Sequence, residues 1–445
     1  MKMLYKAALA SVSLALAFAS VSRTAADPAG TGTTKGDTGT SPFTDFHGET
    51  PGTVHHITVE DLPAPYATKS AAVFSRPVPR PADAWPQAPA GFKVTLYAES
   101  LIGDDKKPLA PRTIITAPNG DFFVAATNAG KILVFRGLTA DGKAAQMETF
   151  ATGLKLPFGL AFYPPGPNPQ YLYVGNTDAV VRFPYTNGDT KANGDPQVIV
   201  PNLPAGPNHF ARGIAFSLDG KRMFIAVGSH TNVTDIDTDK SEYHRADILV
   251  ANPDGSNLDV YASGIRNGSG VTVHPKTGEL WTSVNERDEL GDNLPPDYIT
   301  HVQEGGFYGW PWYYTGGHPD PRFPGKHPEL KDKSIVPDVL LEPHDASLNI
   351  TFYEGKQFPK QYDGVLFAAE HGSWNRSVRT GYEVIMVPMK KGHALGEYVD
   401  FLTGFVTPSG DCWGRPVGVA VATDGSLMVT DDGSNSIWRV TYQKK

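Results

Sequence analysis

The sequence predicts an all-β protein built as a six-bladed β-propeller, and three observations carry that prediction. One strand–turn–strand pattern recurs six times, each copy an apolar strand, a turn and a second apolar strand. Turn formers are abundant, with 46 glycines and 38 prolines in 445 residues, and no long helical periodicity competes with the strands. Several copies are followed by a third short strand, so each unit reads as a small antiparallel sheet. Uneven spacing and the lack of a capping repeat disfavour a stacked solenoid.

Taken in order, residues 1–26 read as a secretory signal. Lys2 and Lys6 precede an apolar run from Ala7 to Ser20, and small residues lead to Ala25-Ala26. The run is short for a membrane span, so no integral span is expected after cleavage. The mature protein is then expected to be periplasmic or secreted. Residues 27–90 are Gly/Thr/Ser-rich and then Pro-rich, which predicts a disordered start followed by an extended segment wrapping the domain. Residues 91–445 are assigned to the propeller. Gly91-Phe-Lys-Val-Thr-Leu-Tyr is expected to add a strand to the last blade and close the ring.

The six copies begin at Arg112, Phe158, Arg212, Ser269, Leu348 and Val417. Third strands are read at Lys131-Ile-Leu-Val-Phe, Ala179-Val-Val-Arg-Phe and Ser436-Ile-Trp-Arg-Val. Between copies four and five lies a long interval, Leu294 to Pro343, rich in aromatics. It reads either as a loop excursion over one face or as packing on a blade edge.

Composition excludes several function classes. A net charge of −8 without a basic tract argues against nucleic acid as a partner. There is neither a GxGxxG strand–helix fingerprint nor a P-loop, and no Ser-His-Asp nucleophile elbow. Cys412 is the single cysteine, so no intramolecular disulfide can form.

In a propeller, the loops on one face converge on the axis. The turns before the copies therefore matter. They hold Asn208-His209 and Arg212 at copy three, Arg266-Asn267 at copy four, His344-Asp345 at copy five and Arg415 at copy six. Glu370-His371 follows the second strand of copy five. A neutral histidine suits a general base, and arginines clamp carboxylates. Asn285 to Asn293 is an oxygen-rich loop without Cys or His, which suits a hard cation over zinc. An anionic ligand beside such a cation fits this layout.

The runs GPNHFARGIAF, GIRNGSG, NERDELGDNLPPD with GGFYGWP, and FAAEHGSWNRSVRTGYEV resemble the sorbosone dehydrogenase family, related to the soluble quinoprotein glucose dehydrogenases. The likeness spans about Pro89 to Tyr442. It implies a six-bladed propeller that binds pyrroloquinoline quinone (PQQ) and Ca2+ and oxidises a sugar or aldose-type substrate. By the same resemblance His209 matches the catalytic base, Arg266 and Asn267 the pair holding the quinone, and Arg415 a cofactor-contacting arginine. Lys356 is the nearest counterpart of a cofactor-contacting lysine. The loop around Glu286 and Arg287 matches the calcium site, where main-chain carbonyls do much of the ligation. The chain departs from the glucose enzymes at Asn208, where they carry Asp, and at Pro157-Phe158-Gly159, where they carry Gln. No CxxCH is present, so electrons must pass to a separate acceptor such as a cytochrome or quinone. Two other readings stay open: a gluconolactonase-type metal-dependent hydrolase on the same fold, and a non-catalytic binding propeller.

Overall fold

The computed structural model describes residues 41–443, apart from 104 and 207. The expected signal segment and the first part of the 27–90 segment lie outside the described residues.

Six antiparallel sheets are arranged as a β-propeller. From the axis outward, blade one is Pro111–Thr116, Phe122–Ala126, Lys131–Leu138 and Ala144–Ala151. Blade two is Leu160–Tyr163, Tyr171–Asn176, Ala179–Pro184 and Gln197–Val200. Blade three is Ile214–Phe216, Met223–Val227, Asp247–Ala251 and Asp259–Ser263. Blade four is Gly268–Val273, Leu280–Val284, Tyr298–His301 and Val339–Leu340. Blade five is Ser347–Phe352, Leu366–Glu370, Glu383–Val387 and Tyr398–Leu402, with Val54–His55 as a fifth, outermost strand. Blade six is Pro416–Val421, Leu427–Asp431 and Ser436–Tyr442, completed by Phe92–Ala98 from the beginning of the domain. In that last pair Val94 faces Val440 and Leu96 faces Trp438, so both ends of the domain share one sheet and the ring closes.

The second strands of blades one, three, four, five and six are buried at every residue, because a sheet covers each of their two faces. The large apolar clusters accordingly lie between neighbouring blades. Trp438, Phe405 and Val429 belong to the one between blades five and six, and Phe123, Val134 and Phe183 to the one between blades one and two.

The glycine that recurs in the inner-strand motif has a packing reason. A Cβ on Gly159, Gly213, Gly270 or Gly418 would overlap the main-chain carbonyl of Arg212, Ser269, Leu348 or Arg112 of the next blade. The backbones touch at the axis, where there is no room for a side chain.

Residues 41–90 do not form a blade. Tyr66, Val73 and Val78 donate backbone N–H bonds to the carbonyls of Leu290, Trp374 and Cys412. The segment thus crosses loops of blades four, five and six in turn. The aromatic interval between blades four and five buries Tyr308, Trp310, Trp312, Tyr313 and Tyr314, so most of those rings serve packing.

Candidate active site

Each blade sends two loops to the same face: the one leading into its inner strand and the one joining its second and third strands. Where blades three, four and five meet, these loops enclose a cavity of about 480 Å³. His209, Arg266, Asn267 and Glu286 line it, together with Asn232, Asp288, Asp297 and His344. A second axial cavity, about 410 Å³, is lined by the inner strands and has no titratable wall. Between the two, Phe158, Ala211, Leu348 and Val417 pack with Phe210 into an apolar plug. The chemistry is therefore confined to the loop face.

His209 sits in a left-handed turn, φ 47°. Its Nδ1 lies 2.7 Å from the carbonyl of Ser229. A carbonyl can only accept, so Nδ1 carries the proton and Nε2 is left unprotonated. Among the described residues nothing bonds Nε2. Burial, and then the Arg266 guanidinium, push the ring down to about 3, so it is neutral near pH 7.

Arg266 is buried and faces oxygens only. It donates to the Glu286 carbonyl at 2.7 Å and to Asn232 Oδ1 at 3.0 Å, and pairs with Asp288 at 3.2 Å. Burial works to raise Asp288, but His344 and Arg266 outweigh it and hold the carboxylate below its usual range. Asn267 donates to Asn285 Oδ1 at 3.1 Å, while its own Oδ1 is buried without a partner among the described residues. An orphaned acceptor beside a buried guanidinium is what a ligand with both N–H and anionic groups would complete.

The loop after the second strand of blade four supplies the acids. Asp297 accepts from the N–H groups of Glu286 and Ala346, each at 2.8 Å. Burial raises Glu286 to about 8 and Asp297 to about 6. The donors here are carboxylate, amide and carbonyl oxygens, the set a hard cation takes. Among the described residues no three His, Cys, Asp or Glu side chains form a ligand group, so such an ion would lean on main-chain carbonyls. Arg287 cannot offer its side chain, which pairs with buried Asp320 at 2.5 Å; only its backbone is free to contribute.

Two of the residues expected at the site stand elsewhere. Arg415 lies in a neighbouring cluster where blades five, six and one meet. It bonds His371 Nδ1 at 2.9 Å, His371 Nε2 meets Asp432 at 2.9 Å, and Asp432 meets Arg112 at 2.6 Å. Burial and Arg415 press His371 down to about 4. Lys356 is not brought to the site at all. It is exposed, in the connection between the first and second strands of blade five, packed against Gly425 in the equivalent turn of blade six. Those turns are at the opposite end of the inner strands from Arg266. Asn232 and Asp297 were not anticipated. Both belong to the loops joining second and third strands, and that position in the repeat is the signal that finds them.

The glucose/sorbosone dehydrogenase family model matches residues 169–378, which include His209, Arg266, Asn267 and the whole acidic loop. The chain belongs to that family. A second model, TrAA12-like, matches residues 328–443. An uncharacterized protein of Borreliella burgdorferi is 31% identical over 370 residues, 80% of this chain and 91% of that one. A pyrroloquinoline quinone-dependent pyranose dehydrogenase of Coprinopsis cinerea is 25% identical over 395 residues, covering 74% of this chain and 52% of that enzyme, so the likeness spans about half its length. The holo PQQ domain of the Coprinopsis cinerea pyranose dehydrogenase superimposes with a TM-score of 0.65 at 21% identity, covering 82% of this chain and 98% of that one. At that identity the superposition speaks for the fold.

Proposed function

We propose that this family member is a PQQ- and calcium-dependent dehydrogenase of a sugar or aldose-type substrate. The observation that carries the reading is a neutral His209 with a free Nε2, facing the same cavity as the Arg266 guanidinium. Arg266 and the orphaned Asn267 Oδ1 would hold the quinone. The carbonyls around Glu286 and Arg287 would hold Ca2+. Glu286 O already accepts from Arg266, but a carbonyl has a second lone pair.

When bound, the quinone supplies the two-electron oxidant that the protein itself lacks. The residues do the rest. His209 Nε2 accepts the proton of the substrate hydroxyl, or of an aldehyde hydrate, as hydride leaves the same carbon. The Ser229 carbonyl keeps the ring in the tautomer that can do this. Arg266 fixes the anionic ligand against the base, and the apolar plug below closes the axial route. We also assign residues 1–26 to export, which N-terminal sequencing starting at Asp27 would support. Among the described residues no helix is long and apolar enough to cross a membrane.

The test is reconstitution. Protein freed of metal, then given PQQ and Ca2+, should show a quinone absorbance that changes on adding a reducing sugar. A spectrum indifferent to every sugar, with metal-dependent lactone hydrolysis instead, would favour the hydrolase.

A further inference from the structure

Behind the His209 turn, blade three buries two guanidiniums that no carboxylate pairs among the described residues. Arg212 is 0% exposed and Arg245 3%. Arg212 Nη1 donates to the carbonyls of His209 and Ala211, each at 2.7 Å, and its Nη2 donates to that of Pro204 at 2.5 Å. Arg245 Nη1 donates to the carbonyls of Gly228 at 2.8 Å and Ser229 at 3.0 Å, and its Nη2 shares the Pro204 carbonyl at 2.8 Å. The acids nearest in effect are engaged elsewhere. Asp178, which acts on Arg212, pairs with Lys155 at 2.6 Å. Glu242, which acts on Arg245, accepts from the N–H groups of His230 and Thr231 at 2.7 and 2.8 Å.

Burying one unpaired cation is costly, and burying two that share an acceptor is more so. Burial, with Arg245 adding to it, drags Arg212 down to about 9. What the pair holds is specific. His209 occupies a left-handed backbone conformation, which non-glycine residues adopt only when the surroundings impose it. Arg212 grips the carbonyl of that residue. Arg245 grips the Ser229 carbonyl, the oxygen that also receives His209 Nδ1–H.

We propose that Arg212 and Arg245 are positioning residues for His209. Arg212 fixes the backbone of the turn. Arg245 fixes the Ser229 carbonyl, and through it the tautomer that leaves Nε2 as the unprotonated nitrogen in the cavity. The inference rests on reading His209 as the base. The charged groups that act on the ring are Arg266 from blade four, Asp288 from the acidic loop, and Arg245 from behind. Of these only Asp288 favours protonation.

The experiment compares wild-type full chain with Arg245→Met and Arg245→Lys by 15N NMR of selectively labelled histidines, without cofactor, from pH 4 to 8. Wild-type His209 should hold one tautomer, Nδ1–H, and remain neutral to the low end. Arg245→Met should mix the tautomers and raise the protonation midpoint by about one pH unit, a tenfold change in proton affinity. In the reconstituted enzyme the acid limb of kcat/KM should rise with it, and Lys should restore most of that profile. If Met does not fold, Lys alone decides: lost activity with unchanged tautomer and midpoint would mark a structural brace and overturn the proposal. A Met variant whose His209 spectrum matches wild type overturns it as well. Failure of the base reading is seen separately, as a His209→Ala enzyme that keeps its rate.

Discussion

Two buried polar regions of this propeller solve the same problem in opposite ways. Around His209 the surplus charge is positive, from Arg266, Arg245 and Arg212, and burial keeps the base without a proton. Inside blade five the surplus is negative. Glu342, Asp345, Glu370, Glu383 and Asp400 are buried, with the half-buried Glu49 of the crossing segment beside them; among the described residues Arg376 pairs with Glu342, and the His55 ring lies 2.7 Å from Asp400. Glu370 and Glu383 stand directly opposite each other on neighbouring strands, where two carboxylates would repel. Among the described residues Glu370 Oε2, Glu383 Oε2 and Asp345 Oδ1 have no hydrogen-bond donor. Burial raises Glu49 and Glu370 to about 8, and Asp345 and Glu383 well above the carboxylate range. The first region is arranged by guanidiniums and the second by protons. Low dielectric removes charge from whichever group can lose it, and only the first is left with a lone pair facing open space.

The largest expected effect tests the chemical side of this contrast. His209→Ala should lower the rate of the reconstituted enzyme by about 10²–10⁴-fold. PQQ binding should stay close to wild type, because the ring need not touch the cofactor's carboxylates. Stopped-flow reduction with a sugar, alongside a cofactor titration, checks both. A variant at full rate would leave the neutral histidine as a packing residue, no different in kind from the protonated acids of blade five.

Arg266→Ala comes next. It removes a charge-assisted contact worth about 1.5–3 kcal/mol, or about 10- to 150-fold in cofactor affinity. Excess PQQ should recover part of its activity and none of that of His209→Ala. Equal behaviour of the two variants across the titration would mean that base and clamp are not separate functions.

The fold was legible because its signals are local and repeated. Apolar strand pairs recur six times, and an Asp/Asn-Gly turn joins them in four of the six copies, each answering the same local demand. The closing strand at Phe92 was legible for the same reason. The two-residue strand Val54–His55 was not, since it is too short for any periodicity. The site was read in part. His209, Arg266 and Asn267 precede inner strands, so repeat position puts them on the loop face. The same rule, applied to the loops joining second and third strands, would have added Asn232 and Asp297. It would also have removed Lys356, whose turn joins a first strand to a second and so lies at the other end. Nothing local distinguishes those two kinds of turn, because a lysine in either reads as exposed. Arg212 and Arg245 are invisible in sequence for another reason. Their partners are backbone carbonyls, which every residue offers.

The smallest effect concerns the proton-held region. Glu370 has a folded-state pKa raised from 4.5 to about 8 by burial. Between those values the folded protein keeps a proton that the unfolded chain has released, so folding binds protons there. The stabilisation is fully present below about pH 4.5 and is lost as pH rises to about 8. Glu370→Gln keeps the shape and an acceptor for Ser347 Oγ, which lies 2.8 Å away, but cannot ionise. It should match wild type near pH 4 and exceed its stability by about 1–2 kcal/mol at pH 8.5, since relaxation and neighbouring acids absorb part of the shift. Denaturation at pH 4, 6 and 8.5 gives the slope directly. Asp345, Glu383, Glu342 and Glu49 face the same interior, so the gain depends on which of them keep their protons. If the variant is instead less stable at every pH, Glu370 is ionised in the fold and a bound cation must compensate it. Blade five would then be organised by charge pairing, like the His209 region, and the contrast between the two would disappear.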